Sequence, residues 1–586
     1  GGRAMIERMT KYSFILLSSA KDAFLEDLQS LGLVDITRSS KPIDEHSAAL
    51  LDDCDRIKKE IKDIEAGTDA RLRELENSLS EQIREQEAIR PWGTWDRARL
   101  EETGLELHFY NTAAKNFDPD WPSQYAIQKV SEDGKQLWFV IVGSAEGFPL
   151  KEIPAPTLTF AEASEVVADT KKQIELYSNT LKNRREELPG LRKELSGKQE
   201  ELSLYLASAT GESAAENSLV IFEGFAPSEK DAALKDSFDK MPVLWLSEKA
   251  AVEDEPPIKF KNKKFVGMFE VLTDMYGRPT YDGFDPTPFI SIFFTLFFAF
   301  CMGDAGYGIV IVLLGYLLRE KLGKQTSALV MTLGVATFII GFFFHTFFSM
   351  DISQWSFIRS LGLHKIMVPS DSKFVIPGMG EYDWTMILAL VCGVVHISLA
   401  QLTKAIVETR NNGFLASIST WGWTLLIVGG VIVGAFALIG VFDKTITKII
   451  IIVIGIISAL FVFFLRDFKK NPLINIGNGL WETYNNATGL LSDVLSYLRL
   501  YALGLAGGLL GAAFNDLAVM VRGDGGIGWI FFILLVIVGH VLNIAMCALG
   551  AFVHPLRLNF LEFFKNAGYE GGGRKYTPLA KENTNN

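Results

Sequence analysis

From residue 288 onward the chain is dominated by apolar runs, whereas residues 1–283 hold none that approaches the ~20 residues a helical bilayer span requires. One chain therefore carries a membrane half and a water-exposed half, which fits its 586 residues, 48% hydrophobic composition and mean hydropathy of +0.20. The runs cover residues 288–318, 326–350, 384–403, 421–441, 449–465, 487–520 and 529–564. Read as one span, the first places the Asp304 carboxylate near the bilayer centre, at a cost of ~2.5–3.5 kcal/mol or more. Read as a hairpin turning at Gly303 and Asp304, it takes that carboxylate to the far interface.

Loop charge chooses between them, because cytoplasmic loops carry the Lys and Arg excess. One alternating set of loops holds Arg319, Lys321, Lys324, Lys404, Arg410, Arg466, Lys469, Lys470, Lys565, Arg574, Lys575 and Lys581. The other holds Arg359, Lys365, Lys373, Lys444, Lys448 and Arg522. The C-terminus is thus expected in the cytoplasm. Residues 1–4 read as an appended remnant, Met5 as the native start, and no hydrophobic signal region follows it. With both ends cytoplasmic the number of spans is even, and the hairpin gives eight. The last two are long: at 1.5 Å per residue, 487–520 reaches about 51 Å against a core of about 30 Å, so these helices tilt or protrude.

In the first half, a strand over 10–17, a helix over 21–31 and a strand over 33–36 begin a small α/β lobe, and short strands return near 105–110, 137–142 and 219–222. Between them lie two charged helical stretches, about 44–90 and 161–207. Leu50, Cys54, Ile57, Ile61 and Ile64 keep heptad spacing, which slips near Gly67 and resumes through Leu72, Leu75, Leu79 and Ile83. Val167, Ile174, Leu181, Leu188, Leu195 and Leu202 recur every seven residues, with Pro189 bending or interrupting the helix. The expected architecture is therefore cytoplasmic α/β lobes linked by a long antiparallel coiled-coil hairpin, forming a strut over 5–260. A linker at 261–285, an α-helical eight-span membrane domain at 286–566 and a cytoplasmic tail at 567–586 complete it. Heptads alone fit a dimerisation coiled coil as well.

The first half contains no GxxxxGK[ST], no GxGxxG after a strand and no HExxH, so nothing in it reads as catalytic. A net charge of −12 argues against nucleic acid as a partner. Cys54, Cys301, Cys392 and Cys547 lie far apart without CxxC spacing, which gives neither a metal site nor a disulfide framework, and no cofactor is expected.

Chemistry concentrates at Arg499, in the middle of the apolar run. A guanidinium stays charged at physiological pH, so it must face protein or water there. On its helical face Ser496, Ser492, Thr488 and Asn485 form a polar track toward the N-terminus, and Ala502, Ala506 and Gly507 form a smooth strip toward the C-terminus. Gly504, Gly507, Gly508 and Gly511 make two overlapping GxxxG pairs, which serve close helix packing within one chain or against a partner. The last run carries Arg557, preceded on related faces by His554, Gly550, Asn543 and His540; Arg557 is placed to line the same path or to snorkel to the interface.

The stretch SYLRLYALGLAGG around Arg499 resembles the signature of the a/I subunit of V-type and A-type rotary ATPases, and HPLRL around Arg557 resembles that family's second arginine motif. The segments IFEGFAP, FEVLTDMYGRPTYDGFDPTPF and DPTPFISIFFTLFFAFCMGDAGYG look like family patterns in family order. The resemblance implies a non-catalytic stator subunit of bacterial or archaeal type in the cell membrane, with ATP sites on other subunits. Its implied partners are a rotor c/K-ring bearing carboxylates, peripheral-stalk E/G-type subunits, a central-stalk socket C/d-type subunit and membrane lipid. Arg499 and Arg557 would serve proton or sodium translocation, Asn485, Thr488, Ser492 and Ser496 a cytoplasmic half-channel, and His540, Asn543, Cys547 and His554 an outer one. Ala502, Ala506 and Gly507 would face the rotor. Many eukaryotic relatives carry a glutamate where this chain has Cys547 and a histidine where it has Gly507. A self-contained secondary transporter, the rival reading, would need its own midplane site on broken helices.

Overall fold

The computed structural model describes residues 6–38, 41–67, 69–93, 104, 106–155, 157–214, 216, 218–353, 355–362, 365, 367–368, 373–376, 380–438, 440–463, 472–522 and 526–581. Met5 and the loop cations Arg466, Lys469 and Lys470 lie outside them. Two compact units divide the chain, residues 16–222 with 579–586, and residues 1–15 with 223–578.

Along the chain, β1 (Met9–Leu17), α1 (Lys21–Leu31) and β2 (Asp35–Ile36) lead into α2 (Glu45–Ala66) and α3 (Ala70–Ile89). There follow β3 (Leu107–Ala113), β4 (Ile127–Glu132) and β5 (Gln136–Val142), then α4 (Phe160–Asn183) and α5 (Leu188–Ala209). In the first unit β5 is the centre of a three-stranded antiparallel sheet between β3 and β4, and its core is aromatic, around Tyr110, Phe139 and Phe148. β4 carried no clear alternation and was not foreseen. Helix α2 packs along α5 and α3 along α4. The cross-links run antiparallel: Tyr205 to Asp44 (2.5 Å), Arg184 to Glu60 (2.5 Å), Tyr177 to Asp69 (2.6 Å) and Gln86 to Ser164 (2.8 Å). The foreseen register slip at Gly67 is a true break. Gly67 takes a left-handed φ of 65° that ends α2, and Asp69 accepts the Leu72 N–H to start α3. On the opposite arm a 3-10 turn, Arg184–Glu187, separates α4 from α5, with Pro189 in the first turn of α5, where a missing N–H costs least.

The second unit begins with β1, which pairs antiparallel with β7 (Leu244–Lys249) from Thr10↔Lys249 to Ile15↔Leu244; β6 (Leu219–Pro227) and α6 (Asp231–Phe238) precede β7. Its membrane part comprises α7 (Thr287–Met302), α8 (Ala305–Leu317), α9 (Arg319–Phe343), the hairpin β8 (Thr346–Phe347) and β9 (Met350–Asp351), α10 (Trp384–Asn412), α11 (Ile418–Leu438), α12 (Lys444–Phe463), α13 (Pro472–Ser496), α14 (Leu498–Arg522) and α15 (Gly526–Arg557).

Among the described residues six helical segments are long and apolar enough to cross a membrane, from Arg319–Phe343 to Gly528–Ala567. α7 and α8 are apolar but shorter, about 24 Å and 20 Å at 1.5 Å per residue. The chain breaks between them where the sequence suggested: Gly303 takes a left-handed φ of 54° and Asp304 caps α8 by accepting the Tyr307 N–H at 3.1 Å. Glycines let these helices touch. A side chain at Gly308 would meet the backbone of Gly334 and Phe338, and one at Gly341 the backbone of Asp304 and Ala305, so α8 and α9 lie antiparallel at backbone contact. An aromatic core of Phe293, Phe294, Phe297, Phe300, Tyr497 and Phe563 fills the space among α7, α14 and α15.

Candidate functional site

The run read as one continuous helix through Arg499 tightens at Tyr497: its N–H bonds to Val494 and its carbonyl accepts from Leu500, and a new helix starts at Leu498. The cause is local. Tyr497 is fully buried, its hydroxyl bonded to Nδ1 of His396 at 2.9 Å, and its ring occupies space left by Gly393. His396 is itself clamped between the rings of Phe293 and Phe563, at 4.1 and 4.6 Å. Arg499 thus lies in the first turn of α14, two residues beyond this tightening of the long helical segment Gly479–Arg522.

The guanidinium Nη1 of Arg499 is buried and has no hydrogen-bond partner among the described residues. Within electrostatic reach stand Glu562 and His554, each of which also feels Arg557. Glu562 is 4% exposed, its Oε2 has no partner among the described residues, and it sits in a π-helical stretch, Leu558–Phe563, that follows Arg557. Within it, the Asn559 side chain donates to the carbonyl of the preceding Pro555 at 2.8 Å. Arg557 is exposed.

On the N-terminal side, Asn485, Thr488 and Ser492 are exposed and Ser496 is half-buried, donating to the Ser492 carbonyl at 3.0 Å. Asn485 lines a cavity of about 40 Å³ with Asp493, Lys565 and Asn566. Asp493 accepts from Asn566 at 2.8 Å and pairs with Lys565 at 3.3 Å. On the C-terminal side Ala502 and Ala506 are exposed, but Gly507 is buried. Gly507 lies about 80° around the helix from Arg499 at 100° per residue and faces α15, so it leaves the smooth strip. A side chain there would sit 2.6 Å from Cys547 Sγ. The two departures from the eukaryotic pattern are therefore spatial neighbours, and Gly504, Gly507 and Gly511 all serve packing within the chain.

Three of the four residues expected in an outer half-channel join one buried network. His540 Nδ1 bonds the Tyr307 hydroxyl at 2.8 Å and its Nε2 bonds Asn515 Oδ1 at 3.0 Å. Asn543 donates to Tyr307 at 2.8 Å and to the Gly507 carbonyl at 2.9 Å, and the Cys547 thiol donates to Asn543 Oδ1 at 3.3 Å. His554 does not belong to it. Eleven residues beyond Asn543, about 16 Å along the helix, it falls beside the two arginines. Asp304, 4% exposed, lies under the β8–β9 turn, accepting from Phe348 and Ser349. Sequence reasoning missed Glu562 and Asp493, although lone carboxylates in apolar runs carry the same signal as Arg499. Tyr307, Asn515 and His396 gave no such signal.

These features define a multi-pass membrane subunit in which an arginine within a long apolar helical segment carries a buried Nη1 without a hydrogen-bond partner among the described residues. The model of the V-type ATPase 116 kDa subunit family matches residues 151–355 and 482–581, and the chain belongs to that family, the a/I subunits of V/A-type rotary ATPases. It is 30% identical over 371 residues to the A-type ATP synthase subunit I of Methanocaldococcus jannaschii, covering 59% of this chain and 52% of the relative. Against the A-type ATP synthase subunit I of Pyrococcus horikoshii identity is 31% over 338 residues, 56% of this chain and 48% of the relative. The chain thus spans about half the length of these relatives. The V-type ATP synthase subunit I of Chlamydia pneumoniae is 24% identical over 580 residues, 84% of this chain and 81% of the relative.

Proposed function

We propose that this chain is the stator of the membrane sector of a rotary ATPase, carrying protons or sodium ions past a rotor ring of carboxylates and linking the membrane sector to peripheral stalks. ATP is handled by other subunits. The observation that carries the reading is Arg499, whose buried Nη1 lacks a partner among the described residues, while Ala502 and Ala506, exposed one and two turns beyond it, are small. An unpaired buried donor is costly within one chain but is satisfied by a carboxylate arriving from outside it. At about 4 Å and an effective dielectric near 20 the attraction is about 4 kcal/mol, enough to favour the ionised rotor carboxylate without trapping it.

In this reading the membrane domain, 286–566, crosses eight times, counting α7 and α8 as a hairpin, with both termini in the cytoplasm of a bacterium or archaeon. The first half, 5–260, is a coiled-coil strut binding E/G-type stalk subunits, 261–285 a linker and 567–586 a cytoplasmic tail; a C/d-type socket and lipid complete the contacts. Asn485, Thr488, Ser492 and Ser496 form the cytoplasmic half-channel, and His540, Asn543 and Cys547 the outer one. ATP-driven ion uptake in vesicles holding the assembled complex tests the reading. Arg499→Ala is expected to abolish uptake with assembly intact, and near-normal uptake refutes it.

A further inference from the structure

The β8–β9 hairpin turns through Phe348 and Ser349, with left-handed φ of 48° and 57°, and His345 just before it has φ 53°. A two-residue antiparallel turn demands such angles, which glycine and asparagine adopt readily and phenylalanine resists. Asp304 compensates. Its carboxylate accepts the N–H of Phe348 at 2.9 Å and of Ser349 at 2.6 Å, and the Thr346 hydroxyl donates to the Gly303 carbonyl, so the turn is pinned to the start of α8. Strain held this firmly in place marks a position the surrounding structure over-determines.

The two turn residues face different surroundings. The Phe348 ring lies edge-on to Tyr307 and His540, at 5.7 and 5.4 Å, and its carbonyl accepts from Asn515 at 2.9 Å. Gly306 makes room for it, since a side chain there would sit 2.5 Å from the ring. Phe348 thus covers the His540 network. Ser349 instead lines a cavity of about 360 Å³ together with His345, Thr346, Asp383 and Gly504. Its buried hydroxyl has no full hydrogen bond among the described residues, although it lies beside the Tyr307 hydroxyl, and a side chain at Gly511 would collide with it and approach Asn543. Cavity and network therefore meet at Ser349.

We propose that the Phe348–Ser349 turn, pinned by Asp304, is a gate on the outer half of the ion path: Ser349 joins the cavity to the Tyr307–His540–Asn543 network, and Phe348 closes that network to solutes larger than a small ion. The inference rests on the reading that this path runs between α14 and α15 to Arg499.

Cys547, hydrogen-bonded inside the network, is a native reporter. In the assembled complex in right-side-out vesicles, with Cys54, Cys301 and Cys392 replaced by alanine, silver ion and a membrane-impermeant sulfonated methanethiosulfonate are added outside. Cys547 is expected to react with silver but not with the sulfonated reagent. Phe348→Ala should raise its labelling by the larger reagent at least tenfold, and Phe348→Leu, which keeps the bulk, should leave it unchanged. Labelling of the unaltered turn by the larger reagent, no rise in Phe348→Ala, or an equal rise in both variants overturns the gate. Uptake retained by Arg499→Ala instead overturns the path reading, whatever the labelling result.

Discussion

Arg499 and Arg557 differ in surroundings more than in chemistry. The first has a buried donor without a partner among the described residues, two positions beyond the Tyr497 that bonds His396, and the second is exposed. Lysine would keep a charge at 499 but lose the planar fork, and it deprotonates when desolvated. Arg499→Lys should therefore lose most ATP-driven uptake, about tenfold or more, while Arg557→Lys retains the larger part; both are read in reconstituted vesicles with assembly checked separately. The importance of Arg499 was legible because an obligate cation in an apolar run needs a reason. Its backbone setting was not, because the turn at Tyr497 is caused by a histidine about a hundred residues earlier in the chain.

Helix faces are the next scale. On α13, Asn485, Thr488 and Ser492 are exposed, and cysteines at these positions should react with a water-soluble thiol reagent added from the cytoplasmic side, whereas a cysteine at the half-buried Val494 should react slowly. The reverse pattern would mean that the assigned face is wrong. In the strut, the start of α2 depends on Asp44, which accepts from Tyr205 at 2.5 Å and from the Ser47 N–H at 2.8 Å. These bonds, that from Tyr205 first, hold its carboxyl at about 2, below the ordinary 3.8. A depressed folded-state value means that the stabilisation is present above the unfolded value and is lost as pH falls through the folded one. Acid melting of a fragment covering residues 5–255 should therefore contain a component between about pH 4 and pH 2 that Asp44→Asn removes, followed by circular dichroism. The long charged helices were visible as heptads. Their breaks were only half visible: Pro189 announced one, whereas Gly67 looked like a slip in register because periodicity does not distinguish a frame shift from a chain break.

For the whole molecule, the division into a water-exposed half and a membrane half gives a direct test. The fragment 5–255 should remain in solution without detergent, scatter as a particle longer than a compact sphere of its mass and hydrolyse no ATP; hydrolysis, or a compact scattering profile, would remove the strut from the proposal. The sequence by itself determined the turn to long apolar runs after residue 283, the break at Gly303 and Asp304, the long charged helices and the arginine, since hydrophobic length, glycine conformation and charge burial are properties of local residues. Tertiary structure alone decided which polar groups meet. Tyr307, Asn515, His540 and Asn543 lie on three different helices, the turn that covers them is shaped by an aspartate more than forty residues away, and Gly507 left the smooth strip for α15. Helical periodicity fixes where a side chain points on its own helix, but the partner it reaches is set by how separate helices pack.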